Sequence, residues 1–106
     1  MSDIHDLTSL IDQFSRKQGW TRFHDQKNLV MALSVEVSEL VEHFQWEDPA
    51  AFDSFSTDRR EQIAMEAADV AIYLLRFCSV SNIDLPDSIL KKLQKNSERL
   101  ETPDKQ

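Results

Sequence analysis

The sequence contains very little glycine, very little cysteine and a deficit of basic charge. Its 106 residues include one glycine, Gly19, whereas Walker A and dinucleotide-binding loops need at least two glycines where the backbone approaches phosphate. The one cysteine, Cys78, cannot form an internal disulfide or supply a cysteine-based zinc site. Both kinds of site are therefore excluded, and we expect Cys78 to be a reduced core residue.

The charge balance is acidic, with 12 Lys and Arg against 19 Asp and Glu and a formal net charge of −7. An acidic surface repels nucleic acids and anionic membranes, so neither is an expected partner. Residues 1–6 lack the basic and apolar regions of a signal peptide, and no run of 18 uncharged apolar residues occurs. These features predict a cytoplasmic protein.

Apolar residues follow helical spacing, and the alternation typical of strands is almost absent. We predict four helices and a short helical turn. The first follows an Asp3 cap and ends before Gly19, the second runs from after Asp25 to about Trp46, and the turn covers 49–55. The third is capped by Thr57 and reaches about Val80, and the fourth has Pro86 in its first position and ends near Leu100. This pattern predicts an all-α bundle of four to five helices in a single domain over 1–106, ordered from about 4 to 100, with a polar, frayed tail over 101–106.

Two pairs of acidic residues occupy equivalent positions on the second and third helices. At about 100° per residue, Glu36 borders an apolar arc of its helix and Glu39 lies about 60° further round. Glu66 and Asp69 have the same relation to the apolar arc of the third helix. The arc on the second helix comprises Leu29, Val30, Leu33, Val37, Leu40, Val41 and Phe44. If the two arcs pack together, all four carboxylates converge along one margin.

Four carboxylates at a half-buried margin cannot stand alone, because two like charges 4 Å apart cost about 4 kcal/mol at an effective dielectric near 20. They must bind protons, pair with Lys or Arg, or hold a cation. Oxygen ligands suit Mg²⁺ or Mn²⁺. Two alternatives stay open: an isolated Glu-x-x-Glu pair is most often a solvated surface, and a di-iron bundle normally uses Glu-x-x-His, which this chain lacks.

The fourth helix and the aromatic residues provide further candidates. Lys92, Asn96 and Arg99 recur at i, i+4 and i+7, so they share a face that could hold phosphates; the alternative is a solvated, cationic helix end. Trp20, Phe23 and Trp46 could stack a nucleobase, or they could anchor the core or an interface.

In combination these elements resemble the all-α nucleoside triphosphate pyrophosphohydrolase superfamily, the MazG-like group, and in particular its dCTP pyrophosphatase branch. The resemblance covers about residues 7–100 and rests on the segments 20–29, 32–42, 44–46, 66–74 and 92–99. They contain the Phe-His, Glu-x-x-Glu, Phe-Gln-Trp, Glu-x-x-Asp and Lys/Asn/Arg elements. This chain departs from many members in having Leu100, not an aromatic residue, after the final basic residue.

The resemblance implies a role for each of these positions. Mg²⁺ (or Mn²⁺) would be bound by Glu36, Glu39, Glu66 and Asp69, and Glu36 or Glu39 would be catalytic. Phosphates would be held by Lys92, Asn96 and Arg99, and the nucleotide pocket would be lined by Trp20, His24, Lys27, Asn28, Trp46 and Tyr73. Members assemble as dimers or tetramers, which suits the apolar Ile72 and Leu75 outside the main arc of the third helix.

We therefore predict Mg²⁺-dependent hydrolysis of a nucleoside triphosphate, dCTP or a modified dCTP, to the monophosphate and pyrophosphate, with a role in cleansing the nucleotide pool. Two alternatives remain. The substrate could be another nucleotide, such as dUTP or an oxidised triphosphate. The chain could also be a non-catalytic helical oligomerisation module whose acids are surface charge.

Overall fold

The computed structural model describes residues 3–101, with the side chain of Glu101 excepted, and these residues form four α-helices and no strand. Helix α1 spans Ile4–Lys17, α2 Gln26–Glu42, α3 Thr57–Val80 and α4 Leu85–Glu101. Short 3₁₀ turns occupy Thr21–Phe23 and Ala51–Ser54. The predicted all-α class is confirmed, and most of the predicted polar tail lies outside the described residues.

Side-chain caps fix where the helices begin. Asp3 Oδ1 accepts a hydrogen bond from the backbone N–H of Asp6 at 2.8 Å, as predicted for α1. Asp25 Oδ1 accepts one from Asn28 at 2.8 Å and begins α2. The predicted cap of α3 was wrong by one residue: Ser56 Oγ, not Thr57, accepts from the Arg59 N–H. Gly19 has a φ of +73°, a left-handed conformation that ends the α1 segment.

The end of α2 and the start of α4 also differ from the prediction. Helix α2 ends at Glu42, not near Trp46. Beyond it the chain turns, and the ring of Phe44 packs on the rings of Phe52 and Phe55, with centroids 6.2 and 5.9 Å away. The Arg59 guanidinium donates to the His43 carbonyl at 2.8 Å, which satisfies one of the carbonyls at this helix end. Pro86 occupies the second position of α4, not the first.

The core lies mainly between α2 and α3, and α1 also packs on α3. Buried apolar side chains come from α2 (Leu29) and α3 (Ile63, Leu75 and Cys78). Leu75, predicted to lie outside the main arc, is a core residue, because α1 packs on α3 and its Ile4 and Thr8 line one small pocket with Leu75. Ile72 stays exposed. The α2 arc is only half buried, since α3 covers one side of it and leaves a row of valines exposed: Val30, Val37 and Val41.

Helix α4 extends away from the other three and has little contact with them. The radius of gyration is 17.1 Å, whereas a compact chain of about 100 residues has about 13 Å. In one chain the predicted bundle is therefore three packed helices and a projecting fourth. Several of its apolar side chains are exposed: Ile89, Leu90, Leu93 and Leu100. No helix of the described part has the length and apolar character needed to cross a membrane.

Candidate metal and nucleotide site

Packing of α2 on α3 brings three carboxylates together. Glu36 and Glu39 lie one turn apart on α2, and Glu66 faces them from α3. One oxygen of each carboxylate lies within 4.8 Å of one oxygen of each of the others. We call these three residues the acid cluster. It arises as the helical phases predict, because Glu36 and Glu66 border the apolar arcs of their helices and Glu39 lies on the same side of α2 as Glu36.

The acid cluster is not neutralised within the described part of the chain. Glu36 Oε2 and Glu66 Oε2 are buried and have no hydrogen-bond partner there. His43 Nε2 lies 3.8 Å from Glu66 Oε1, which is too long for a good hydrogen bond. Buried, unpartnered carboxylate oxygens are costly, so this arrangement calls for a cation or for protons.

Electrostatics links the fourth predicted acid to the cluster. Burial raises the pKa of Glu36, and the negative charges of Glu39 and Asp69 raise that pKa further, as do a hydrogen bond with Glu39 and the charge of Glu66. Asp69 is exposed, one turn after Glu66 on α3, and lines an adjacent cavity. His43, which caps the end of α2, was not predicted as a neighbour of these acids, although its spacing of four from Glu39 and seven from Glu36 continues their face of the helix.

The residues present fit a hard divalent cation. The acid cluster offers only oxygen donors, and two of its oxygens lack any other partner. Carboxylate oxygens are the ligands that Mg²⁺ and Mn²⁺ prefer, and Mg²⁺ typically binds through a few carboxylates while retaining waters and substrate phosphate oxygens.

Beside the acids is an open cavity of about 650 Å³ between α1, α3 and the connection that precedes α2. Its walls are largely aromatic and apolar, with Phe14 from α1, Trp20 from the connection and Tyr73 from α3. Trp20 packs edge-on against Phe14 at a centroid distance of 5.3 Å. Its polar groups include Asp69 and His24. The shape and lining suit a flat, largely apolar ring next to a charged group.

Three of the six residues predicted for the nucleotide pocket line this cavity: Trp20, His24 and Tyr73. The other three do not line it in one chain. Lys27 and Asn28 are exposed in the first turn of α2, and the Asn28 amide donates to the Phe23 carbonyl at 3.0 Å and to Asp25 Oδ2 at 3.1 Å, so it stabilises the connection. Trp46 is 88% exposed, because α2 ends before it.

The three α4 residues predicted to hold phosphates also lie apart from the cavity lining. Lys92 and Arg99 are exposed and Asn96 is half-buried. Arg99 Nη2 lies 3.5 Å from Asn96 Oδ1, so these two residues share a face of α4 as predicted. Helix α4 has little contact with α2 and α3, which carry the acid cluster. Within one chain, the face of α4 with Asn96 and Arg99 therefore does not pack against those helices.

A buried network that the sequence patterns did not predict includes two of the residues that line the cavity, His24 and Arg76. Arg76 is a buried residue, only 6% exposed, and its guanidinium donates from Nη1 to Asp12 Oδ1 at 2.7 Å and from Nε to His24 Nδ1 at 3.0 Å. Ser79 Oγ donates to Asp12 Oδ2 at 2.6 Å. The available signal was a charged residue in the most apolar part of α3, which must find an opposite charge if it is buried.

Comparison with known proteins places the chain in a family. The model of the MazG-like family matches residues 31–106. The chain belongs to the MazG-like family. The matched region contains Glu36, Glu39, Glu66 and Asp69, and it also contains α4.

Individual relatives of this MazG-like chain agree with the family assignment. It is 34% identical over 98 residues to dCTP pyrophosphatase 1 of Rattus norvegicus and 35% identical over 98 residues to that of Homo sapiens. Each alignment covers 91% of this chain and 58% of the relative, so the chain spans little more than half the length of these proteins.

A solved structure agrees over a larger share of both chains. The crystal structure of a pyrophosphatase from Archaeoglobus fulgidus superposes with a TM-score of 0.81 at 33% identity, covering 93% of each chain. The overall architecture of the chain is thus similar to that of a known protein.

Proposed function

We propose that this MazG-like chain hydrolyses a nucleoside triphosphate, dCTP or a modified dCTP, to the monophosphate and pyrophosphate. The observation that carries the proposal is the acid cluster, with two buried, unpartnered oxygens, next to an aromatic cavity of about 650 Å³. A nucleoside triphosphate needs a site that binds the cation of its phosphate chain and a surface on which its base can stack. The acid cluster would supply the first and the aromatic cavity the second. The names of the relatives in rat and human support dCTP as the substrate.

We assign Mg²⁺, with Mn²⁺ as a substitute, to Glu36, Glu39, Glu66 and Asp69. Bound there, the cation would offset the charge of the phosphate chain and lower the pKa of a coordinated water. The chain's own groups would do the rest. Glu36 or Glu39 would accept the proton of the attacking water. Trp20, His24 and Tyr73 would hold the base in the cavity, and Lys92 and Arg99 would stabilise the charge of the departing pyrophosphate.

We also propose that the chain functions as a homodimer or homotetramer. The exposed valines of α2 and the exposed leucines of α4 are apolar side chains that the rest of the described chain leaves uncovered, and such surfaces are typical of protein interfaces. A second copy would cover these faces and could supply Lys92, Asn96, Arg99 and Trp46 to the site, since one chain keeps them outside the cavity.

Within this proposal, residues 1–106 act as one domain and meet their substrate in the cytoplasm. Light scattering after size-exclusion chromatography tests the assembly, and a monomer at micromolar concentration would contradict it.

The decisive experiment measures pyrophosphate release from all common and modified deoxynucleoside triphosphates with and without Mg²⁺. We expect dCTP or 5-modified dCTP to be hydrolysed fastest and only with a divalent cation. If dUTP or an oxidised nucleotide were hydrolysed fastest, the proposed reaction would stand and the proposed substrate would be wrong. No release from any of them would leave the oligomerisation module as the better interpretation.

Glu66→Gln provides the matched test of the site. This change removes one charge of the acid cluster and keeps its volume, so we expect activity to fall by about 100-fold or more. The control is Glu42→Gln, which makes the same chemical change at an exposed position of α2. We expect the control to keep its activity. Equal activities of the two variants would overturn the assignment of Glu66.

A further inference from the structure

The network behind the cavity determines the hydrogen-bonding state of His24. The guanidinium of arginine is always protonated and has no acceptor atom, so the contact between Arg76 Nε and His24 Nδ1, 3.0 Å long, requires a bare Nδ1. A neutral imidazole with a bare Nδ1 carries its proton on Nε2. Among the described residues the one side-chain hydrogen bond of His24 is that at Nδ1, so its Nε2 is unused, and His24 lines the cavity.

Arg76 is itself held in place by charge. Its Nη1 donates to Asp12 at 2.7 Å, and Ser79 donates to the second oxygen of the same carboxylate at 2.6 Å. The pair is largely buried, with side-chain exposures of 8% for Arg76 and 21% for Asp12. The planar guanidinium can donate in two directions at once, which the ammonium of lysine cannot do with the same geometry.

We propose that Arg76, anchored by Asp12, is a positioning residue that locks His24 as a neutral Nε2–H donor. The cavity would then select a flat ring that carries a hydrogen-bond acceptor, such as a ring carbonyl oxygen, at the edge facing His24. The identity of that ring as a nucleobase rests on the proposed function. The assignment of the His24 tautomer does not depend on it.

The charges around the ring agree with this arrangement. Burial lowers the pKa of His24, and the positive charge of Arg76 lowers it further. The other ionisable groups that share the cavity with His24 are Asp69 and Tyr73, and Asp12 lies behind Arg76. A neutral His24 near pH 7 cannot act as a phosphate-binding cation, so its function here is to donate one directed hydrogen bond.

The first test is nitrogen-15 NMR of the imidazole rings in the full chain, without metal or nucleotide. The three histidines of the sequence are distinguished by the loss of the His24 signals in His24→Gln. For His24 we expect the chemical shift of Nδ1 to be that of an unprotonated nitrogen, with the proton on Nε2. This state should persist from about pH 8 down to a pH below the usual histidine pKa of about 6.5. A mixture of tautomers, or a proton on Nδ1, would overturn the proposal.

The second test replaces the positioning group. In Arg76→Lys the positive charge remains but the two-directional fork is lost. We expect His24 to populate both tautomers, and we expect KM for the hydrolysed nucleotide to rise about tenfold while kcat changes less than about threefold. An Arg76→Lys protein with the wild-type tautomer and KM would contradict the proposal. The measurement on the wild-type chain decides the matter if this variant does not fold.

A third measurement separates this inference from the proposed hydrolysis. The binding of deoxycytidine, which lacks phosphates, is compared with the binding of an analogue in which hydrogen replaces the ring carbonyl oxygen. Each compound is titrated into the protein separately, and binding is followed by the Nε2 chemical shift of His24 and by Trp20 fluorescence. We expect about tenfold weaker binding of the analogue to the wild type and little discrimination in Arg76→Lys. Equal binding of both compounds by the wild type would overturn the acceptor preference, whether or not any triphosphate is hydrolysed.

Discussion

Two clusters of charged side chains, the Asp12–Arg76 network and the acid cluster, differ in how their charge is balanced. In the Asp12–Arg76 network the carboxylate oxygens accept from Arg76 and from Ser79, and the guanidinium reaches both Asp12 and His24. In the acid cluster three carboxylates meet, and two of their oxygens are buried without a partner among the described residues. Both clusters include side chains of α3, Arg76 and Ser79 in one and Glu66 in the other.

The difference shows how a folded chain separates positioning from binding. A buried charge that is fully paired holds its neighbours in one geometry and has no further need of a ligand. Buried like charges without a partner raise the free energy of the folded chain unless something binds to them. Asp69, one turn after Glu66 of the acid cluster, and His24, which is bonded to Arg76 of the network, both line the cavity. One cluster is therefore suited to bind charge, and the other to present a fixed hydrogen-bond donor.

The largest expected effect would come from breaking the balanced network. Arg76→Met removes the partner of Asp12 and leaves a largely buried carboxylate with only the hydroxyl of Ser79. We expect the free energy of unfolding to fall by about 3 to 5 kcal/mol in urea denaturation. The control is Asp87→Asn, which breaks an exposed ion pair with Lys91 of 3.0 Å and should cost less than about 0.5 kcal/mol. If both changes lowered the free energy of unfolding by similar amounts, the buried network would be no more important to stability than an exposed ion pair.

The acid cluster should respond to metal, and the balanced network should not. We expect Mg²⁺ without nucleotide to raise the free energy of unfolding by about 2.7 kcal/mol at 100 times its Kd, measured by thermal unfolding. In Glu36→Gln this gain should shrink, and in Asp87→Asn it should persist. An equal gain in Glu36→Gln and the wild type would mean that the cation binds elsewhere.

The smallest effect is a dependence of stability on pH without metal. Because the folded chain raises the pKa of Glu36, it binds more protons than the unfolded chain above the ordinary pKa of glutamate, about 4.3. The contribution of Glu36 to stability is therefore present below that value and is lost as the pH rises through the raised pKa. The wild type should lose stability relative to Glu36→Gln from about pH 4 to pH 7 in EDTA. A difference that grows in favour of the wild type over this range would contradict the raised pKa.

Much of the fold follows from local sequence, since helical periodicity and capping residues act over a few positions. Asp3 caps α1 as predicted, and α2 begins after Asp25 as predicted, with Asp25 as its cap. The errors lie where tertiary contacts decide. Helix α2 ends at Glu42 because Phe44 turns to pack on Phe52 and Phe55 and Arg59 holds the His43 carbonyl. Leu75 is buried because α1 covers it, and no pattern within α3 specifies that neighbour.

The candidate site divides in the same way. Helical phase alone places Glu36, Glu39 and Glu66 at the margins of two buried faces, so their meeting could be predicted once α2 was assumed to pack on α3. The sequence by itself determined the class of the fold, the acidic pairs and the family to which they belong. Only the tertiary structure paired Arg76 with Asp12 and His24, residues 64 and 52 positions away, because contacts between helices depend on how whole faces pack and not on spacing within one helix.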